Sequence, residues 1–312
     1  MLAEPGPVCG RFAPSPTGPL HFGSLVAALG SFLEARAQGG QWLVRIEDVD
    51  APRTAPGAAE AILRTLESCG LFWDGAVWYQ SQRTERYQAA LEALSHAGQV
   101  YPCTCTRREL AGCPRGRDGS SLYPGHCRTG PRRPGRPHAV RLRVTNTRLT
   151  FHDAVQGEYH QYLESEVGDF VIRRADRLFT YQLAVVVDDA DQGVTEVIRG
   201  SDLLDSTPRQ VYLQGLLGLL TPRYGHLPVA VDERGDKLSK QTHAPPLDER
   251  NPGPALWYAL RFLGQQPPAE LLNAPLAELL NWARAHWRLE RAPSVRAQLE
   301  RQSAGFSPIH RR

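Results

Sequence analysis

The chain has 312 residues, 41% of them hydrophobic and 22% charged, with a formal net charge of +3 at pH 7. That is enough chain for one large domain with insertions or for two smaller ones, and a charge this small does not by itself announce a nucleic-acid binder. No stretch approaches the ~18–20 apolar residues of a membrane span, and MLAEPGPVCGRF has no basic segment followed by an apolar run, so a cytoplasmic protein without membrane contact is expected.

In chain order, VCGRFA (8–13) reads as a short buried strand. The loop RFAPSPTGPLHFGS (11–24) follows, with three prolines, two glycines and a lone histidine, His21, where a helix should begin. From Ser24 the apolar positions Leu25, Ala28, Leu29, Phe32 and Leu33 recur at helical spacing until Gly39 and Gly40 stop the run, and QWLVRIED (41–48) is a second strand. Strand, loop, helix and strand make a βαβ unit with parallel strands and a right-handed crossover. The loop therefore lies at the carboxyl end of the first strand, where open α/β sheets bind ligands and where helix N–H groups attract anions. It matches neither GxGxxG nor GxxxxGK[ST]. A histidine among small residues there points to a phosphate gripped as charge develops on it; a helix-capping histidine is the plainer alternative.

Next comes a cysteine-rich stretch, YPCTCTRRELAGCPRGRDGSSLYPGHCRTG (101–130). Four clustered cysteines in a cytosolic protein favour a metal site over disulfides, and thiolates select zinc over magnesium. Cys103 and Cys105 form a CxC and Cys127 follows; Cys113, Tyr123 and His126 are candidates for the fourth ligand, of which chemistry alone favours Cys113. Cys9 and Cys69, isolated in apolar surroundings, read as buried thiols. Residues 128–143, RTGPRRPGRPHAVRLR, hold six arginines in sixteen positions, either a solvated loop or phosphate contacts. The arginine-rich end, 291–312, reads in the same two ways. Further on, LPVAVD (227–232) is a strand and RGDKLSKQ (234–241) a glycine-containing loop with Lys237 and Lys240, flexible point charges suited to β- and γ-phosphates. The last ~70 residues read as amphipathic helices, ALWYALRFLG and AELLNAPLAELLNWARAHW, whose aromatics belong to a core.

PSPTGPLHFGS resembles the HIGH signature, and KLSKQ the KMSKS signature, of class I aminoacyl-tRNA synthetases. Together with RIEDVDAPRT (45–54), LFWDG (71–75) and TYQLAVVVDDADQGVTEVIRGSDLLDSTPRQ (180–210), they are similar to the glutamyl branch. The resemblance implies an α/β, Rossmann-like class I catalytic domain that activates an amino acid with ATP and Mg2+. Its catalytic and ATP-binding residues would be His21, Gly23, Lys237 and Lys240; Gln241 departs from the serine of the family pattern. Glutamate, with two carboxylates and one ammonium, needs at least two cations and one anion. Arg11, Arg199 and Glu47 at strand ends supply them, and the resemblance adds Ser15 and Tyr181. Arg11 and Glu47 could instead simply pair with each other across adjacent strands.

The branch that uses CxC followed by YxxxC implies a structural zinc held by Cys103, Cys105, Tyr123 and Cys127. Only about 70 residues follow Gln241, too few for an anticodon-binding helical domain, and this similarity is to the glutamyl-Q tRNA(Asp) synthetases. That family implies tRNA-independent activation of glutamate and its transfer to queuosine in the anticodon loop of tRNA(Asp), by a monomer. A minimal glutamyl-tRNA synthetase charging tRNA(Glu), or an idle zinc-containing RNA-binding paralogue, are the rivals. The expected division is 1–100 and 146–241 for the two halves of the catalytic domain, 101–145 for the zinc-binding insertion, and 242–312 for a short helical C-terminal subdomain.

Overall fold

The computed structural model describes residues 7–238 and 247–300. The chain opens with β1 (Cys9–Phe12), α1 (Phe22–Ala37) and β2 (Gln41–Ile46), followed by α2 (Ala58–Ser68) and the short β3 (Trp78–Tyr79). β1, β2 and β3 pair in parallel in that order, with Arg11 opposite Leu43 and Ile46 opposite Tyr79. The expected βαβ unit is present. Leu25, Ala28, Leu29, Phe32 and Leu33 are all completely buried, facing Trp42, Val44 and Ile46 of β2. Burying five such side chains is what holds α1 on the sheet, at roughly 1.5–3 kcal/mol for each of the larger ones.

α3 (Thr84–His96) leads into β4 (Val100–Cys103), β5 (Ala139–Leu142), the hairpin of β6 (Arg148–Asp153) and β7 (Gly157–Tyr162), and β8 (Phe170–Arg173). β4, β5 and β8 form an antiparallel sheet carrying the cysteine-rich segment. The chain then returns through α4 (Tyr181–Asp191), β9 (Glu196–Gly200), α5 (Thr207–Leu217), β10 (Arg223–Leu227) and β11 (Val229–Val231). β9 and β10 are parallel, and the Thr195 N–H donates to the Cys9 carbonyl, setting β9 beside β1. The first and second halves of the chain thus share one parallel layer. LPVAVD is two strands rather than one, because Pro228 has no N–H to continue the ladder.

α6 (Gly253–Phe262) and α7 (Leu276–His286) pack Leu256, Leu260 and Leu279 into the same apolar cluster as α1. The amphipathic helical stretch read in AELLNAPLAELLNWARAHW is divided at Pro275: a short 3-10 turn, Ala269–Asn273, precedes it and α7 starts after it. The C-terminal stretch also contributes a strand, β12 (Ala297–Leu299), parallel to β11. A close approach fixes α1 on β10: a Cβ on Gly30 would lie 2.4 Å from Leu227 Cδ1. No helix among the described residues is long and apolar enough to cross a membrane.

Candidate active site

Two cavities adjoin at the carboxyl ends of the parallel strands and share Ser15, Thr17 and Asp202. The larger, about 650 Å³, is lined by His21, Gly23 and Ser24 from the start of α1, by Gly200 and by Lys237. His21 is the N-cap residue of α1: its Nδ1 accepts from the Ser24 N–H at 3.3 Å, and Ser24 Oγ accepts from the His21 N–H at 2.8 Å. The plainer reading of His21 is therefore realised, and it is compatible with the phosphate reading. An accepting Nδ1 places the proton of the neutral ring on Nε2, making that nitrogen a donor. Gly23 matters for space, since a Cβ there would meet the His21 ring at 3.2 Å and the Leu238 carbonyl at 3.3 Å. The loop after β11 thereby closes onto the helix start. Lys237 Nζ lies 2.5 Å from Asp202 Oδ2. Lys240 and Gln241 lie outside the described residues.

The smaller cavity, about 510 Å³, is lined by Ser15, Glu47, Gln80, Arg174 and Tyr181, among others. Arg199, 5% exposed, reaches this wall by donating from Nη1 to the Tyr181 hydroxyl at 3.1 Å. Arg11, 3% exposed, grips Asp189 with Nε and Nη2 at 3.2 and 3.4 Å. Glu47 accepts instead from Arg45 Nη2 at 3.4 Å, and Arg45 also binds Asp189 at 2.7 Å. The contacts of Arg11 and Glu47 thus run to Asp189 and Arg45 rather than directly between the two. Burial pushes the Glu47 carboxyl up to about 7 although Arg45 and Arg11 pull it down. Burial would also raise Asp189, but Arg11 and Arg45 hold it below the usual carboxylate range. The Tyr181 phenol is raised by burial, so it stays protonated.

Sequence reasoning missed Asp189, Arg45 and two further buried polar residues, Asp153 and His226. A signal existed for the first: VVVDDAD places two adjacent carboxylates in an apolar run, and Asp188 and Asp189 are 0% and 4% exposed. No local signal marks His226, whose Nδ1 lies 2.5 Å from Asp153 Oδ2.

In the antiparallel sheet's cysteine segment, the sulfur atoms of Cys103, Cys105 and Cys127 lie within 4.8 Å of one another. The Tyr123 hydroxyl sits among them, 3.3 Å from Cys103 Sγ and 3.5 Å from Cys105 Sγ. Cys113 packs beside this cluster without joining the sulfur triad. Arg141 braces the group, donating from Nε to Cys103 Sγ at 3.3 Å with its guanidinium 3.9 Å above the Tyr123 ring. Three thiols and a phenol converging this closely suit one tetrahedral, thiophilic ion, so the donor set fits a metal. Cys9 and Cys69 are buried, 7% and 1% exposed.

The arginine-rich run is largely spoken for. Arg128 forms a two-bond pair with Asp169 at 2.6 and 2.7 Å, Arg133 pairs with Glu109, Arg141 is 8% exposed, and Arg143 donates to the Arg128 carbonyl. Arg132 and Arg136 are exposed.

The catalytic-domain profile of class I tRNA synthetases (E and Q) matches residues 7–250. A glutamyl-Q tRNA(Asp) synthetase from Thiobacillus denitrificans is 57% identical over 291 residues, covering 93% of this chain and 97% of its own. Another, from Pseudomonas aeruginosa, is 55% identical over 285 residues, covering 91% and 94%. A glutamate tRNA ligase from Elizabethkingia meningosepticum, solved with its amino acid, superposes with a TM-score of 0.74 at 23% identity, covering 94% of this chain and 67% of that one; this likeness speaks for the fold. The chain belongs to the class I tRNA synthetases of the glutamate and glutamine type and, among them, to the glutamyl-Q tRNA(Asp) synthetase family.

Proposed function

We propose that this protein activates L-glutamate with ATP as glutamyl-adenylate, without tRNA, and transfers the glutamyl group to queuosine of tRNA(Asp). The observation that carries the reading is the pair of adjoining cavities. One has the helix start, His21 and Lys237, suited to a polyphosphate. The other is lined by Glu47, Ser15 and Tyr181, with Arg199 reaching its wall through the Tyr181 hydroxyl and Arg11 linked to Glu47 through Asp189 and Arg45. Their shared boundary at Ser15 and Thr17 is where an α-carboxylate and an α-phosphate would meet.

In the first step a glutamate α-carboxylate oxygen attacks the ATP α-phosphorus in line, and pyrophosphate leaves with the bonding pair. Charge grows on the phosphate oxygens, so the protein's work is positioning and electrostatic stabilisation. The His21 Nε2–H and the N–H groups at the start of α1 face the triphosphate; Lys237, joined by Lys240, meets the departing pyrophosphate. Mg2+ bound to ATP would share the charge of the triphosphate. In the second step a hydroxyl oxygen of the cyclopentenediol attacks the acyl carbon, AMP leaves, and an ester forms. Glu47 holds the substrate ammonium, and Arg11 and Arg199 its carboxylates. The Cys103, Cys105, Tyr123 and Cys127 set would hold one zinc, whose contribution is to stabilise the fold of the insertion.

ATP–pyrophosphate exchange tests the first step: glutamate alone should support it, with no tRNA added, and far better than glutamine. Labelled glutamate should then pass to tRNA(Asp) only when queuosine is present, with periodate oxidation of the diol abolishing transfer. Charging of tRNA(Glu) at its 3′ end, or transfer to tRNA(Asp) without queuosine, would overturn the reading.

A further inference from the structure

The guanidinium of Arg199 is held from one side by a buried pair that touches neither cavity. The sheet register makes Arg199 of β9 the partner of His226 in β10, and β10 in turn pairs with the end of β6, where Asp153 sits. Asp153 and His226 are both completely buried. Asp153 Oδ1 accepts three backbone N–H groups, from Val155 at 3.0 Å, Gln156 at 2.9 Å and His226 at 3.0 Å. Its other oxygen, Oδ2, lies 2.5 Å from His226 Nδ1. On the far side of the ring, Nε2 is 3.0 Å from Arg199 Nε and 3.1 Å from Thr207 Oγ1.

The donor inventory leaves one protonation pattern. Arg199 Nε–H can only donate, so His226 Nε2 must accept, and the ring proton lies on Nδ1, facing the carboxylate. Burial agrees: it holds the His226 ring down to about 4, so the imidazole is neutral near pH 7. The remaining Arg199 nitrogens are also directed, Nη1 to Tyr181 and Nη2 to Thr207 and Gln210, the last two at 2.8 Å. The fork is thereby locked in plane and in direction before any substrate arrives.

We infer that Asp153 and His226 are positioning residues for amino-acid recognition, fixing through a single ring tautomer the orientation in which Arg199 meets a glutamate carboxylate. The inference rests on the assignment of Arg199 to the glutamate cavity proposed above. Hydrocarbon side chains would fill the same space without the cost of burying a carboxylate and an imidazole. What they could not do is aim a guanidinium whose one uncommitted N–H, on Nη1, is left for substrate, and a cation pointed a few tenths of an ångström astray loses discrimination rather than stability.

The test is Asp153→Asn. The three backbone donors keep Oδ1 where it is, so the new amide nitrogen must face His226 Nδ1. The ring proton then moves to Nε2, where it opposes the Arg199 Nε–H. In ATP–pyrophosphate exchange the KM for glutamate should rise by ~10-fold or more, the size of effect expected from an outer-shell partner, while the KM for ATP stays within about twofold. Nitrogen-15 shifts of His226 should report the exchanged tautomer. His226→Gln keeps an acceptor oxygen for Arg199 and needs no tautomer, so its glutamate KM should stay near that of the parent, whereas His226→Leu should raise it as Asp153→Asn does. In the His226→Gln background Asp153→Asn should lose its effect on glutamate KM.

Arg199→Ala separates this inference from the cavity assignment. If Arg199→Ala leaves glutamate KM unchanged, the assignment fails and the positioning role fails with it. If Arg199→Ala raises it but a folded Asp153→Asn does not, or raises the KM for ATP equally, the positioning role alone is overturned. Should Asp153→Asn not fold, equal glutamate KM values for His226→Gln and His226→Leu would overturn it as well.

Discussion

Glu47 sits among opposed influences, with burial raising its carboxyl to about 7 and the guanidinium groups of Arg45 and Arg11 working against burial. A group poised there is half protonated at neutral pH, and it must be ionised to hold an ammonium. The glutamate KM should therefore fall as pH rises through 7 and level off above it, rising about tenfold for each unit below. Glu47→Gln should give a weaker but pH-flat KM, and a parent enzyme with a flat KM between pH 6 and 8 would refute the role. Stability follows the opposite course. The folded carboxyl binds its proton more tightly than the unfolded one, whose ordinary value is 4.5, so this group's contribution is lost as pH rises from about 4.5 through 7. Bound glutamate should restore it, visible as a larger ligand-induced shift in melting temperature at pH 8 than at pH 6. Arg199→Ala should raise the glutamate requirement by roughly two orders of magnitude, about 3 kcal/mol for removing one partner of a desolvated charge pair. The places of Arg11, Glu47 and Arg199 at strand ends were legible in the sequence because the strands flank a recognisable loop. Asp189 was signalled by the VVVDDAD run and missed, whereas Asp153 and His226 were not legible, because their meaning lies in partners 73 and 27 residues away.

The start of α1 joins two tasks that mutation can separate. His21 caps the helix through Nδ1 and lines the larger cavity. Asparagine is an equally good cap, so His21→Asn should leave thermal stability within roughly 0.5 kcal/mol, while His21→Ala should cost about 1 kcal/mol. Both should slow pyrophosphate exchange to a similar degree; full exchange activity in His21→Asn would return this histidine to a purely structural role. α1 itself was readable because its five periodic apolar positions bury completely, whereas the C-terminal helical stretch was read without its division at Pro275, which the proline announces. The cysteine segment shows a different limit. Spacing could not choose between Cys113 and Tyr123, since chain distance says little about convergence in a loop-rich insertion, but the folded segment sets the Tyr123 hydroxyl between two sulfurs. Purified protein should carry close to one zinc, lost in Cys103→Ser or Cys105→Ser and retained in Cys113→Ser. Metal analysis of these variants checks the set, and loss of zinc in Cys113→Ser with retention in Tyr123→Phe would reassign the fourth ligand.

Across the whole molecule, the two halves of the parallel sheet meet at the cavities, and within the cysteine-bearing sheet Asp169, just before β8, holds the loop to its strands by taking Arg128, the Tyr101 hydroxyl and the Val144 N–H. This tie changes what the arginine run can do. Read as charge alone, residues 128–143 offer six cations to a phosphate backbone; folded, Arg128, Arg133, Arg141 and Arg143 are engaged in holding the insertion together. Charge pattern is visible in a sequence, but the carboxylates that consume it, Glu109 and Asp169, are not marked as partners. If an RNA stem-loop docks on this face, its phosphates should meet Arg132 and Arg136. Replacing both with alanine should weaken glutamyl transfer to the RNA about uniformly across sequences and reduce the dependence of log affinity on log salt by roughly 1.4–1.8, the counterions released by two contacts. Exchange of pyrophosphate, which involves no RNA, should not change. Arg128→Ala should do the reverse, lowering the melting temperature by breaking a two-bond ion pair to a fully buried carboxylate, with transfer affected only as far as folded protein is lost. Transfer rates measured between 50 and 200 mM salt for the two variants decide it: an unchanged salt slope in the double variant would move the RNA to another face of the molecule.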